Sequence, residues 1–206
     1  MSELADGARK LVRRCVRFCQ DAITSRDIED VTRLLGREPR GLRTIPIRTA
    51  SGEPVVLQVA SLVNDKPFPT LFWLVNPQLN LAIDRLEATG VISLLQQKLD
   101  AEPIYQHQLA DAHRAHIQLR SRLMTDKERR RIQQLGFESV FEQRGIGGIE
   151  NFNRIRCLHT YYAAHLISPN LIGQWLEALI FERSLRNGWY FINLILTAVQ
   201  AALLLS

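Results

Sequence analysis

The pattern of apolar and polar positions predicts short strands in the first half of the chain. Residues 43–49 and 54–60 have the alternation of strands, and Ser51-Gly52 between them predicts a hairpin turn. The run Thr70–Val75 is apolar after its first residue, which is typical of a strand covered on both faces. These segments together predict a small antiparallel sheet of about three strands.

Helical spacing dominates the rest of the chain. Predicted helices cover about 27–35, 77–89, 92–99, 103–123, 126–135 and 171–186. Ser25 or Asp27 is expected to cap the first helix, Asn76 the second, and Thr125 opens a capping box with Glu128. The predicted fold class is therefore α+β and mostly helical, with the sheet in the first half and an apolar C-terminal helix.

Two terminal segments differ from the predicted domain of residues 25–186. Residues 1–24 predict an amphipathic helix whose basic side carries Arg9, Lys10, Arg13, Arg14 and Arg17. Such a helix contacts anionic membranes or nucleic acid, or simply presents a solvated face.

The segment 187–206 is almost wholly apolar from Trp189 onwards. Its length is at the short limit for a membrane-spanning helix, which needs roughly 17–25 residues. Trp189 and Tyr190 stand where interfacial aromatics are found. Asn193, Thr197 and Gln200, however, share one stripe, as they would in a packed or oligomerising helix. A membrane anchor through residues 189–205 and a packed helix both stay open.

Composition narrows the class of protein without naming a partner. The 206 residues are 46% hydrophobic and 23% charged, as in a globular protein, and the net charge is +5. This charge suits anionic partners but does not separate nucleic acid, lipid headgroups and phosphorylated metabolites. Three cysteines are too few for a disulfide framework, and the N-terminus lacks an apolar signal core, so we expect a cytoplasmic protein.

The densest set of reactive side chains lies between Arg144 and His165. A glycine-rich loop is followed by two arginines, and glycine loops and helix N-termini bind anions. Another basic loop occurs around Arg40. The candidate anion-binding residues are Arg144, Gly147, Gly148, Arg154, Arg156, Arg40 and Arg43. The alternative is that the glycines form a tight loop between helices.

Cys157 is the candidate nucleophile. It stands near a predicted helix start beside Arg154 and Arg156, where a thiolate is favoured. Its base must come from another residue, and His113 and His159 are the candidates that complete the catalytic set. His113, His116 and Arg120 share one side of a helix and predict a catalytic or ligand-binding face. The alternative is a buried cysteine with locally hydrogen-bonded histidines.

No metal is favoured by the sequence. The ligands for one would be Cys157, His159, His165 and His113. On a continuous helix, His159 and His165 project about 120° apart. A shared metal would therefore require the helix to begin after His159.

Several motifs occur in an order that resembles a known family. They are Leu35–Gly41, Pro67–Leu74, Leu86–Gly90, Ala112-His113, Gly147–Ile149, and Cys157–His159 with His165. In this order they resemble the bacterial family catalogued as domain of unknown function number 501, over about residues 31–173. Where that family often has Asn-Pro-Ile-Gly, this chain reads Asn170-Leu171-Ile172-Gly173. The resemblance implies a coherent domain and no particular activity.

Three hypotheses about function follow. The first is a cytoplasmic accessory protein with an anion-binding site, held by its tail at the inner face of a membrane. The second is a small enzyme acting on a phosphate- or carboxylate-bearing substrate through Cys157 with His113 or His159. The third is nucleic-acid binding through the N-terminal helix and Arg129–Arg131. Cofactor, biological process and oligomeric state are not determined by the sequence.

Overall fold

The computed structural model describes residues 22–186 of the chain, with side chains up to residue 180. The predictions for the basic N-terminal helix, including Cys15 and Cys19, and for the apolar tail of residues 187–206 lie outside the described residues. Within residues 22–186, no helix is both long and apolar enough to cross a membrane.

The sheet is antiparallel and has three strands, as predicted. They are β1 (Leu42–Arg48), β2 (Pro54–Val59) and β5 (Phe72–Leu74), with β2 in the middle. A separate two-residue hairpin, β3 (Leu62–Val63) with β4 (Lys66–Pro67), was not predicted. It turns at Asn64 and Asp65, which both have positive φ. Short polar residues of this kind tolerate that conformation better than most.

Eight α-helices occur in the described part of the chain. They are α1 (Ser25–Leu35), α2 (Pro77–Ala88), α3 (Val91–Ala101), α4 (Pro103–Leu123), α5 (Asp126–Leu135), α6 (Glu138–Gln143), α7 (Leu158–Ile167) and α8 (Leu171–Arg186). A single 3-10 turn, Ile146–Gly148, lies between α6 and α7. The mostly helical α+β class is confirmed, and α6 is a helix that the periodicity did not reveal.

The helix caps follow from local hydrogen bonding. Asn76 Oδ1 accepts the Leu79 amide at 3.0 Å, as predicted for the start of α2. Helix α1 differs from the prediction, because its cap is Thr24, not Ser25 or Asp27. Asp27 instead provides the other half of a capping box, its carboxylate accepting the Thr24 amide at 3.0 Å.

Apolar clusters cover both faces of the sheet. The smaller one holds Val31 of α1 against Ile45, Leu57 and Val75. The larger one joins the other face to α2, α3, α4, α7 and α8, and it includes Phe72 and Leu74. The strand predicted in residues 70–75 is therefore covered on both sides.

Helix α7 lies at the centre of the larger cluster. It packs against β5, α2, α8 and the 3-10 turn. Leu158, Tyr161 and Ala163 are fully buried, since neighbours surround the helix. Its start is different, because Cys157 is exposed and the His159 side chain keeps 22% of its surface accessible. A buried central helix thus brings two reactive side chains to the molecular surface.

Candidate active site

Cys157 and His159 meet at the start of α7. Cys157 is the residue before the helix and has extended backbone angles. Its Sγ lies 3.8 Å from His159 Nδ1. The contact forms because the two residues do not share a continuous helix: Cys157 precedes the first turn and His159 is inside it. The sequence had placed Cys157 near a predicted helix start, and the structure puts that start at Leu158.

Two carboxylates of α2 complete the cluster. Asp84 Oδ1 lies 3.2 Å from His159 Nε2, and Glu87 Oε1 lies 3.6 Å from His159 Nδ1. Asp84 and Glu87 are three residues apart and so lie on the same side of α2. Glu87 Oε1 also accepts the Leu158 amide at 2.7 Å, which ties α2 to the first turn of α7. We call Asp84, Glu87, Cys157 and His159 the α7-start cluster.

The electrostatics of the cluster favour a charged pair. Burial acts to raise the pKa of the Cys157 thiol, but hydrogen bonds with His159 and with the Thr160 backbone bring it below its ordinary value. The hydrogen bond with Cys157 raises the pKa of His159, and the nearby carboxylates of Glu87 and Asp84 add to this. Both shifts favour a thiolate beside an imidazolium.

A glutamine of α3 holds the segment that leads into the cluster. Gln96 Oε1 accepts the Ile155 amide at 2.9 Å, and Gln96 Nε2 donates to the Asn153 carbonyl at 2.9 Å. Arg154 and Arg156 extend from this segment and are exposed. Among the side chains of residues 22–180, neither guanidinium pairs with an acidic group. Both are free to meet an anionic ligand near Cys157.

His113 is part of the core and does not join Cys157. Its Nδ1 accepts the Ile146 amide at 3.0 Å, so its Nε2 carries the proton and donates to the Tyr161 hydroxyl at 3.2 Å. Tyr161 in turn donates to the Arg154 carbonyl at 3.1 Å. Burial lowers the pKa of His113 to about 4. Because both ring nitrogens are engaged, His113 is not available as the base for Cys157.

The predicted ligand-binding face of α4 points into the protein. His116 and Arg120 are 4% and 1% exposed. Arg120 donates to the backbone carbonyls of Pro69, Phe141 and Arg144, and burial lowers its pKa to about 10. Burial, with the charges of Arg120 and His113, lowers the pKa of His116 to about 3. We call His113, His116 and Arg120 the buried α4 stripe.

His165 belongs to the connection between α7 and α8. Its Nδ1 accepts the Asn170 amide at 3.0 Å, and its Nε2 lies 3.2 Å from Glu177 Oε1. Asn170 Oδ1 then accepts the Gly173 amide and begins α8 without the proline expected from the family motif. His165 and His113 are thus held elsewhere, and the predicted four-residue metal set does not assemble. In the described part of the chain, the one group of three nearby metal-ligand atoms comes from Glu87, Cys157 and His159.

The glycine-rich loop is closely packed. Its amides at positions 145, 146, 148 and 149 donate to acceptors within the protein. A Cβ on Gly145 would lie 2.2 Å from His113 Nδ1, and one on Gly147 would lie 2.6 Å from Thr160 Oγ1. These glycines therefore have a packing explanation, and the engaged amides are not free for an anion.

The other predicted anion-binding arginines are spread over the surface. Arg144 lies 3.5 Å from Glu150, Arg43 lies 3.0 Å from Glu128 of α5, and Arg40 is exposed. Of the basic triplet on α5, Arg131 pairs with Asp65 at 2.6 Å and Arg129 donates to the Ser121 carbonyl. These partners occupy several of the arginines proposed for anion or nucleic-acid contact.

Asp84 and Glu87 were not identified by sequence reasoning. The available signal was modest: they are three apart on a predicted helix and each directly follows a buried position, Ile83 or Leu86, so they share the side that adjoins the buried one. Nothing in the spacing indicated that α2 would pack beside the start of α7.

The α7-start cluster lies within a region that matches a known protein family. A family model described as Protein of unknown function (DUF501) matches residues 45–178, which is more than half of the chain and includes the whole α7-start cluster. Neither a curated protein nor a solved structure matches the chain.

Proposed function

We propose a thiol-dependent enzymatic activity for this chain, which belongs to the DUF501 family of proteins of unknown function. Cys157 is the nucleophile, His159 is the proton carrier, and Asp84 orients the His159 ring. The substrate is a small ester that bears a phosphate or a carboxylate. His113, which the sequence offered as an alternative base, has no part in this proposal.

The observation that carries the proposal is the chain of contacts from Cys157 Sγ to His159 Nδ1 and from His159 Nε2 to Asp84 Oδ1. Nucleophilic catalysis needs a base within reach of the nucleophile and a third group that orients the base. The thiol is also exposed, so a substrate can approach it. The Leu158 N–H is engaged by Glu87. The next N–H groups of the first turn of α7, those of His159 and Thr160, have no intrahelical acceptor, and such groups stabilise oxyanions.

The chemistry follows from these roles. The Cys157 thiolate forms a bond to the ester carbonyl carbon, and the carbonyl electron pair moves to oxygen. When the oxyanion collapses, the C–O bond to the alcohol breaks and the alkoxide takes a proton from the His159 imidazolium. Water then attacks the thioester, passes a proton to His159, and releases the acid as Cys157 leaves.

Anionic substrates are favoured by Arg154 and Arg156. Both side chains are exposed, lie in the three residues before Cys157, and have no acidic partner among the side chains of residues 22–180. Guanidinium groups bind carboxylates and phosphates in a bidentate manner.

The first test measures alkylation of Cys157 at fixed pH in a full-length Cys15→Ser/Cys19→Ser protein, where it is the remaining thiol. We expect His159→Ala to slow iodoacetamide alkylation at least about tenfold, in keeping with the usual contribution of a positioned base. The control is His107→Ala, since His107 is an exposed histidine of α4. Equal rates in the wild type, His159→Ala and the unfolded chain would refute the proposal.

A second test addresses the charge of the substrate. The ratio of the iodoacetate rate to the iodoacetamide rate is expected to fall several-fold in Arg154→Gln/Arg156→Gln, because electrostatic attraction of an anion is lost. Arg130→Gln is the control, since Arg130 is exposed on α5. Mono(4-nitrophenyl) succinate then tests turnover, with a burst of nitrophenol and an acylated Cys157 as the expected result. An unchanged ratio would contradict the proposed preference for anionic substrates. The absence of acylation would contradict the proposed ester chemistry.

The cellular location is a separate part of the proposal. We propose that the chain is cytoplasmic and that the apolar segment 189–205 attaches it to the inner face of a membrane. Fractionation of cells that express the full chain or the chain without residues 187–206 tests this. Equal recovery of both in the supernatant would contradict membrane attachment.

A further inference from the structure

Three side chains of the α7-start cluster present different metal-ligand atoms to one point. A carboxylate oxygen of Glu87, Sγ of Cys157 and Nδ1 of His159 all lie within 4.8 Å of one another. The Sγ–Nδ1 distance is 3.8 Å and the Nδ1–Oε1 distance is 3.6 Å. A nucleophile and its base need only the first of these contacts, so the thiol chemistry does not explain the position of Glu87.

The spacing matches a tetrahedral metal ion. Zinc takes sulfur at about 2.3 Å and nitrogen or oxygen at about 2.0–2.2 Å, which places neighbouring tetrahedral ligands about 3.3–3.6 Å apart. The Sγ–Nδ1 and Nδ1–Oε1 separations exceed these values by a few tenths of an ångström, and the Glu87 oxygen lies within 4.8 Å of Cys157 Sγ. Side-chain rotations would bring the three ligand atoms to the spacing of a metal site.

Neighbouring hydrogen bonds prepare two of the ligands. The Asp84 carboxylate lies 3.2 Å from His159 Nε2. In a neutral ring the proton therefore stays on Nε2, and Nδ1 keeps its lone pair for a metal. The Leu158 amide holds Glu87 Oε1 at 2.7 Å. A carboxylate behind a ligating histidine and a hydrogen bond to a ligating carboxylate are the outer contacts that metal sites in proteins use.

The donor set determines the kind of cation. One thiolate, one imidazole and one carboxylate suit Zn²⁺ and related borderline ions, whereas Mg²⁺ and Ca²⁺ prefer oxygen ligands throughout. Three protein ligands leave the fourth tetrahedral position open.

We infer that Glu87, Cys157 and His159 bind a zinc-type divalent cation, and that this cation reversibly blocks the nucleophile of the proposed enzyme. The blocking role rests on the proposed function, because a thiolate whose electron pair is bound to a metal does not attack an ester. Binding displaces to solvent the proton that Cys157 Sγ and His159 Nδ1 share, and it changes no oxidation state. Cation and substrate therefore compete for the same sulfur.

The site is tested with the full chain carrying Cys15→Ser/Cys19→Ser, freed of metal by a chelator and then titrated with Zn²⁺ and Co²⁺. We expect one equivalent of Zn²⁺ to bind and Co²⁺ to show a thiolate-to-metal charge-transfer band. Glu87→Gln is expected to weaken binding at least about tenfold, by analogy with the losses seen at metal sites. Glu142→Gln is the matched control, because Glu142 is an exposed glutamate of α6. No binding, binding without the band, or equal binding by Glu87→Gln would each overturn the inference.

Alkylation of Cys157 by iodoacetamide, with and without Zn²⁺, separates this inference from the proposed function. Protection by Zn²⁺ in the wild type, with fast alkylation and little protection in Glu87→Gln, supports both. If alkylation of the metal-free protein is fast and Zn²⁺ never slows it, the proposed enzyme stands and the metal site is overturned. If the metal-free protein is alkylated slowly but binds Zn²⁺ when it is added, the metal site stands and the assignment of Cys157 as a nucleophile is overturned.

Discussion

The α7-start cluster and the buried α4 stripe use histidine to opposite ends. Each contains a histidine close to a second charged or polar group. In the α4 stripe, His113 is fully buried and its ring nitrogens contact a backbone amide and a tyrosine hydroxyl. In the α7-start cluster, His159 is part-exposed and lies between a thiol and two carboxylates. One arrangement stabilises the fold, and the other has the elements of a reactive site.

The difference teaches that a histidine's surroundings decide its role. Burial lowers the pKa of His113 and His116 and keeps both neutral, whereas the thiol and the carboxylates raise the pKa of His159. A neutral histidine with satisfied nitrogens is inert. A histidine whose partners include a nucleophile and an orienting carboxylate can move protons. Four tests can break or sharpen this contrast.

The largest expected effect is on stability, from His113→Ala. The substitution opens a cavity, leaves the Ile146 amide without its acceptor and removes the donor to the Tyr161 hydroxyl. We expect the free energy of unfolding to fall by about 3–5 kcal/mol. Urea denaturation of the variant and of His159→Ala measures the contrast. A smaller loss in His113→Ala than in His159→Ala would reverse the assigned roles.

Acid should destabilise the protein through the α4 stripe. The pKa values of His113 and His116 in the fold, about 4 and about 3, lie below their ordinary 6.5. The unfolded chain therefore binds their protons first, so this stability is present above pH 6.5 and is lost as the pH falls toward 4. Between pH 7 and pH 5 we expect a loss of about 3 kcal/mol, at about 1.4 kcal/mol per pH unit for each histidine.

Denaturant unfolding at several pH values measures this loss. The carboxyl pKa values of Glu128 and Asp27 are lowered, so these two groups add to the loss of stability only at lower pH. The pKa of His159 is raised, so His159 acts in the opposite sense. A flat profile between pH 7 and pH 5 would contradict the assignment of the two histidines as buried and neutral.

His116→Leu should separate the two histidines of the stripe. His116 Nε2 has no hydrogen-bond partner among the described residues, and the ring lies edge-on to Phe72. An apolar side chain of similar size therefore removes an unsatisfied polar group, and we expect stability at pH 7.5 within about 1 kcal/mol of the wild type. The acid dependence should become shallower by up to about 1.4 kcal/mol per pH unit. A loss of stability as large as that of His113→Ala would show that His116 makes a hydrogen bond that the structure does not contain.

Asp84→Asn should give the smallest effect on stability. Asp84 is 63% exposed, so we expect the free energy of unfolding to change by no more than about 0.5 kcal/mol. Iodoacetamide alkylation of Cys157 should nevertheless slow several-fold, because the amide no longer orients and stabilises the His159 ring as a carboxylate does. Asp111→Asn, an exposed aspartate of α4, is the control. Unchanged alkylation would mean that Asp84 only happens to lie beside the ring.

Prediction from the sequence succeeded where the signal is local. The capping residues Asn76 and Thr125, the hairpin between β1 and β2, and the apolar strand near residue 73 were all identified, because each depends on neighbouring positions. It also placed Cys157 and His159 in one candidate site. It assigned His113 to the same site, since a three- and four-residue spacing shows which side of a helix residues share but not which side faces the core.

The sequence by itself therefore indicated most of the elements, the family resemblance, and Cys157 and His159 as members of one candidate site. Only the tertiary structure decided that α2 lies beside the start of α7, that Asp84 and Glu87 meet His159 there, and that α4 turns His113, His116 and Arg120 inward. The physical reason is that turns, caps and helical periodicity arise from interactions over a few residues. The convergence of groups more than 70 positions apart, such as the Glu87 carboxylate and the Leu158 amide, depends on how whole helices pack.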